Sequence, residues 1–142
     1  ALAELRPHES IPLGTAAVLR AGADLTLVSL GVGVHRALET AEELERQAVS
    51  AGVIDLRSVS PLDVECLCEQ VVRTGRVVVI DEDYLGFGLS GEVAARLLEA
   101  GIRPQFARVG TERTIPYARH LEIEALPNTI RILDACRQLL EA

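Results

Sequence analysis

Val77-Val78-Val79-Ile80 is an unbroken run of β-branched residues, entered through Gly75-Arg76 and left through Asp81-Glu82-Asp83. A strand without polar alternation has no face to give to water, so it belongs inside a sheet that is covered on both sides. Helices supply such covers when strands run parallel. This run constrains the chain to an α/β layered architecture more firmly than any other feature.

The flanking segments fit that architecture. Ala16–Arg20 and Leu25–Leu30 are predicted strands, separated by a turn at Gly22 and Asp24. So short a turn makes them antiparallel or puts them at different places in the sheet. Val34, Leu38, Ala41, Leu44 and Ala48 share one helical face, predicting a helix from Val34 to Ala51 that stops with Gly52 at the C′ position. Val53–Arg57 is the next predicted strand. Ser60 is the expected N-cap of the following helix, with Pro61 at N1 and Asp63 three residues on. That helix runs to about Thr74 and stops at Gly75. A third helix, Ser90–Ala100, turns Val93, Ala94, Leu97 and Leu98 inward. Gln105–Val109 is the last strand, a short helical piece follows near Ala118–Ala125, and Asn128 caps a helix over Thr129–Glu141. Residues 1–12, with Pro7 and Pro12, read as a linker, and residues 13–142 as one domain.

Composition excludes several functions. Twenty-one acids against 14 arginines and no lysine give a net charge of −7, opposite to the basic footprint that nucleic acid requires. Two Phe, two Tyr and no Trp leave little for base stacking. No apolar run approaches the ~20 residues of a membrane span, and ALAELRPHES has no secretory pattern. The chain has no methionine, so it is expected to be a piece of something longer. Cys66 and Cys68 lie ~200° apart on a helix and cannot easily share a metal. Together with Cys136 they read as small apolar residues of a reducing, cytoplasmic protein.

Gly86, Gly88 and Gly91 spell G-x-G-x-x-G between a strand and a helix. A dinucleotide site needs its first glycine tight against the strand end, so that helix N–H groups meet the pyrophosphate. Here the predicted strand ends near Asp81, and Asp81, Glu82 and Asp83 stand where the pyrophosphate would sit. No acid follows at the end of the next strand, Phe106-Ala107-Arg108-Val109. The glycines are therefore read as letting the loop fold back and the helix pack closely on the sheet. His8, His35 and His120 do not assemble a Ser-His-Asp triad, and no metal-ligand spacing occurs.

The order of segments resembles the C-terminal domain of the transketolase family. Leu13-Gly14, Ala23–Val28, Gly33-Val34-His35, Ile54–Arg57, Ser60–Asp63, Gly75–Val79 and Asp81-Glu82 carry the likeness. Pro116-Tyr117-Ala118, Glu122, Leu126-Pro127-Asn128 and Arg131-Ile132 are similar to the beta subunit of thiamine-diphosphate-dependent 2-oxo-acid dehydrogenases of the pyruvate, branched-chain and acetoin types. These tail segments argue against the sister enzymes transketolase and deoxyxylulose-phosphate synthase. A free-standing nucleotide or small-ligand-binding domain is the alternative from a different class.

The resemblance implies a three-layer α/β/α domain with a mostly parallel five-stranded sheet, order 1-3-2-4-5, strand 1 antiparallel. Its topological switch point is a crevice formed by Gly31, Gly33, His35, Asp81, Glu82, Asp83 and Tyr84. In this family thiamine diphosphate and magnesium are held elsewhere, by the alpha subunit and the N-terminal domain of beta. No cofactor, metal or catalytic residue is expected in this chain, which is expected to be inactive alone. The implied partners are the alpha subunit, a second beta subunit and the docking module of the acyltransferase core, with self-association expected. Arg113, Pro116, Tyr117 and His120, together with the final helix, are the candidate partner surface.

Overall fold

The computed structural model describes residues 10–141; Pro7 and His8 of the expected linker lie outside them. Ten elements follow in order: β1 (Ala17–Arg20), β2 (Leu25–Ser29), α1 (Val32–Arg46), β3 (Ala51–Asp55), α2 (Val64–Thr74), β4 (Arg76–Tyr84), α3 (Leu89–Glu99), β5 (Gln105–Thr111), α4 (Arg119–Ala125) and α5 (Thr129–Glu141). The sheet order is β1-β3-β2-β4-β5, with β1 antiparallel to β3 and the other pairs parallel. This is the expected topology.

The apolar run of β4 divides as a doubly covered strand must. Val78 and Ile80 join Leu27, Ala41, Leu44, Ile132 and Cys136 in one core, beneath α1 and α5. Val77 and Val79 join Val28, Leu67, Val71, Val93 and Leu97 in the other, beneath α2 and α3. All five residues of β2 are buried. At roughly 25 cal/mol per Å² of apolar surface removed from water, these two layers are the main driving force for the fold.

Several boundaries differ from the sequence expectation. α1 ends at Arg46, so Ala48 leaves the buried face and Gly52 lies within β3, which begins two residues earlier than expected. The stop is a Schellman motif: Ala48 takes φ +61°, its N–H reaches the Glu45 carbonyl, and the Val49 N–H reaches that of Leu44. Gly52 serves close packing instead, its hypothetical Cβ lying 3.1 Å from the Gly22 nitrogen.

The cap of α2 is Asp63, not Ser60, and Pro61 precedes the helix rather than opening it. Asp63 Oδ1 accepts from the Cys66 N–H at 3.0 Å. Its Oδ2 accepts from the Ala16 N–H at 2.8 Å, which fastens the approach to β1 onto α2. Gly75 closes α2 in the left-handed conformation, as expected. β4 continues past Asp81 to Tyr84, and β5 past Val109 to Thr111, where Tyr84 pairs with Thr111 after a register shift. In α3, Val93 and Leu97 are buried but Leu98 is 54% exposed, lining an open apolar pocket with Ala94, Pro104 and Phe106. Asn128 caps α5 as expected, accepting from the Arg131 N–H at 3.0 Å.

Candidate functional site at the carboxyl end of the sheet

The crevice lies between β2 and β4, where α1 departs to one face of the sheet and α3 to the other. Its floor is fixed by Ser29, a buried residue whose hydroxyl donates to the Ile80 carbonyl at 2.8 Å. That hydroxyl explains Gly33: a Cβ there would come within 2.2 Å of Ser29 Oγ. Gly31 caps α1 with φ +57°, a conformation suited to glycine, and no side chain caps this end. His35 is exposed on the first turn.

Acidic side chains occupy the opposite wall. Arg36 Nη1 reaches Glu82 Oε1 at 2.7 Å, bridging α1 to β4 across the crevice. The Glu82 carbonyl accepts from the Thr111 hydroxyl at 2.6 Å. Asp81 Oδ2 accepts from the Leu89 N–H at 3.1 Å, and its Oδ1 from the Asp83 N–H at 3.1 Å. The first N–H of α3, where a phosphate would sit in a dinucleotide site, thus already has an internal carboxylate.

The extension of β4 changes the spacing on which the glycine motif was judged. Gly86 lies just beyond the strand end at Tyr84, not at a distance from it. The glycines themselves have unequal roles. A Cβ at Gly88 would meet the Tyr84 carbonyl oxygen at 2.2 Å, whereas Gly86 and Gly91 have nothing within 4 Å. Only Gly88 is demanded by close approach, and the expectation that Gly91 brings α3 onto the sheet is corrected: its Cβ position is open.

The second loop at this end, between β5 and α4, carries the other candidates. Arg113 and His120 are exposed, Pro116 is half-buried and Tyr117 is fully exposed. Arg131 of α5 holds the loop's ends together. It donates to the Ala125 carbonyl and the Gly110 carbonyl, both at 2.9 Å, and pairs with Glu112 at 2.7 Å. In the sequence Arg131 carries only part of the family resemblance and no structural role, and Phe87 was passed over, an aromatic set between two glycines with its side chain wholly in solvent. A bulky residue flanked by glycines was the available signal for the latter.

Chemistry at this end is sparse. Among the described residues, neither His35 nor His120 hydrogen-bonds a serine or a carboxylate, and no group of three or more His, Cys, Asp or Glu is placed to hold a metal. Cys66 and Cys68 are half-buried rather than core residues, while Cys136 is buried. Burial raises all three thiols, Cys136 to about 12, which keeps them protonated and poorly nucleophilic near neutrality. No helix among the described residues is long and apolar enough to cross a membrane.

Residues 14–132 match the family model described as "Transketolase, C-terminal domain". The chain is 37% identical over 131 residues to the pyruvate dehydrogenase E1 component subunit beta of Rhizobium meliloti (strain 1021), covering 89% of this chain and 28% of that protein. It is 37% identical over 135 residues to the same subunit of Bacillus subtilis (strain 168), covering 93% and 42%. An acetoin:2,6-dichlorophenolindophenol oxidoreductase subunit beta of Cupriavidus necator is 32% identical over 136 residues, covering 93% and 40%. The chain therefore spans less than half the length of these relatives. A solved split-gene transketolase, an inactive beta4 tetramer, superposes with a TM-score of 0.87 at 30% identity, over 95% of this chain and 45% of that one. By sheet order, by covering layers and by sequence, the chain belongs to the transketolase C-terminal domain family, in the form carried by pyruvate dehydrogenase E1 beta subunits.

Proposed function

We propose that this domain is the assembly domain of the beta subunit of a cytoplasmic, thiamine-diphosphate-dependent 2-oxo-acid dehydrogenase. The whole enzyme decarboxylates a 2-oxo acid oxidatively and passes the product to a lipoyl carrier. This domain joins the alpha subunit and a second beta subunit and helps dock the acyltransferase core. One observation supports the assembly role above all. The crevice in which an open α/β sheet usually receives a ligand is filled by the protein's own groups, Asp81 on the Leu89 N–H and Glu82 on Arg36. Tyr117, Ile115 and Ile123 meanwhile stand exposed on the loop and helix that follow β5.

The residues of the crevice do not fit a diphosphate. Asp81, Glu82 and Asp83 would repel it, and the helix end that would attract it is already paired. No step of the reaction is assigned to this chain. An acidic surface of net charge −7 suits a basic docking module. Calorimetric titration with NAD, ATP and thiamine diphosphate is expected to give no binding, and mixing with the alpha subunit is expected to give a stable complex. Micromolar NAD binding would revive the free-standing nucleotide-binding alternative.

A further inference from the structure

β5 is an edge of the sheet, so one side of its backbone lacks a neighbouring strand. The Gln105 N–H reaches the Gly75 carbonyl at 3.0 Å, which sets the alternation. Gln105, Ala107 and Val109 turn their N–H and C=O groups toward β4, and Phe106, Arg108 and Gly110 turn theirs outward. Arg131 occupies the Gly110 carbonyl at 2.9 Å. Among the described residues, no strand and no side chain meets the outward N–H and C=O groups of Phe106 and Arg108. Unpaired groups of this kind are a template for a further strand.

A side-chain pocket lies beside the same edge. Phe106 packs on the core beneath α2 and α3 and, with Ala94, Leu97, Leu98 and Pro104, lines an apolar pocket of about 290 Å³. Arg103 stands at its rim. Arg108 follows on the same face of the strand as Phe106, where its Nη1 donates to the Leu85 carbonyl at 2.8 Å. Both arginines are exposed, and among the described residues neither pairs with a carboxylate, unlike Arg20, Arg36, Arg46, Arg96 and Arg131. Along β5 the order is therefore cation, apolar pocket, cation.

We infer that the β5 edge receives an extended acidic segment of a partner protein by strand addition. The segment pairs its backbone with Phe106 and Arg108, sets a large apolar side chain in the pocket, and meets Arg103 and Arg108 with carboxylates on either side of it. Side chains on one face of a strand recur at every second residue, so the recognised pattern is acid, apolar, acid at alternate positions. Main-chain bonds supply affinity in this mode and the pocket supplies selectivity. Charge rejects a second copy of this chain as the occupant: β5 paired with itself brings two Arg103 and two Arg108 onto one seam. A basic segment is rejected for the same reason. The inference does not depend on the assembly role proposed above.

The test titrates the intact chain with the blocked peptide Thr-Glu-Thr-Leu-Thr-Glu-Thr, and with the same peptide carrying Lys in place of Glu, following hydrogen exchange by NMR. The acidic peptide should bind, weakening as salt rises, and should slow exchange of the Phe106 and Arg108 amides while leaving that of Ala107 unchanged. Arg103→Glu should weaken binding by about tenfold, the loss of one attractive contact and the gain of a repulsive one. Arg108→Ala removes a charge alone, whereas Arg108→Pro also removes an outward N–H that no bond within the sheet uses, so the proline variant should bind far more weakly than the alanine variant. If Arg108→Pro fails to fold, the exchange pattern of the wild-type chain decides. No binding of the acidic peptide, equal binding of the lysine peptide, or protection that omits Phe106 and Arg108 overturns the inference. Self-association of the chain that protects those two amides makes a second copy the occupant and also overturns it.

Discussion

Asp63 and Ala16 are separated by 47 positions in sequence, yet the carboxylate of one accepts the N–H of the other at 2.8 Å while also capping α2. One side chain thereby ends a helix and fixes the approach to an edge strand. Asp63→Ala should remove both bonds and cost about 2 kcal/mol, roughly half from the cap and half from the orphaned N–H. Asp63→Asn keeps a single acceptor oxygen and should cost about half as much. Chemical denaturation of the three proteins side by side measures the difference. Equal stability of Asp63→Ala and wild type would show that water replaces both bonds without loss.

Two glycines of one motif should respond in opposite directions. Gly88→Ala forces a Cβ to within 2.2 Å of a backbone carbonyl oxygen and should cost at least about 2 kcal/mol. Gly91→Ala places a methyl in open space inside α3 and should stabilise by about 0.5 kcal/mol, through helix propensity and a less disordered unfolded chain. Thermal melts of both variants decide the matter, and matching shifts would remove the distinction drawn between the two positions.

Ala48 holds the left-handed position that closes α1. Replacing it with glycine should relieve more conformational strain than it adds in unfolded-chain entropy, for a gain of about 0.5 kcal/mol. The melting temperature should rise by about 1–2 °C. Ala48→Val, β-branched at the same φ, should lower it; a rise in that variant would contradict the strained geometry.

Burial holds the Cys136 thiol neutral, its pKa pushed up from 9.0 to about 12. The folded state therefore keeps a proton that the unfolded state releases above pH 9. This contribution to stability is fully present below that pH and is lost as pH rises towards 12, by up to about 1.4 kcal/mol per pH unit. Cys136→Ala should be less stable at pH 7 but should lose stability less steeply between pH 9 and 11. Denaturation curves across that range test the slope, and parallel curves for the two proteins would refute it. At pH 8 the native thiol should also react slowly with disulfide reagents compared with Cys66 and Cys68.

Those features of the fold that local chemistry dictates were readable from the sequence. The apolar run of β4, the glycine stop at Gly75 and the Asn128 cap each need only near neighbours, and the strand order followed from resemblance. The misses have long-range causes. Ser60 and Asp63 are both competent caps, and what selects Asp63 includes Ala16, which no local window contains. The end of α1 was hidden because alanine occupied a position that glycine normally marks. The acidic end of β4 did not read as strand because it projects beyond the sheet's interior, where nothing requires apolar side chains. Of the candidate site, the switch point and the carboxylates around it were legible. The partners of the Asp81 and Glu82 carboxylates were not, since the Leu89 N–H and Arg36 meet them only through the fold.

The division of β4 between the two cores reaches beyond packing. Because Val78 and Ile80 support one layer while Val77 and Val79 support the other, neither pair of helices can peel away without stripping a strand on which the opposite pair depends. The two halves should melt in a single concerted transition, with the amide protons of Val77 to Ile80 among the last to exchange with solvent.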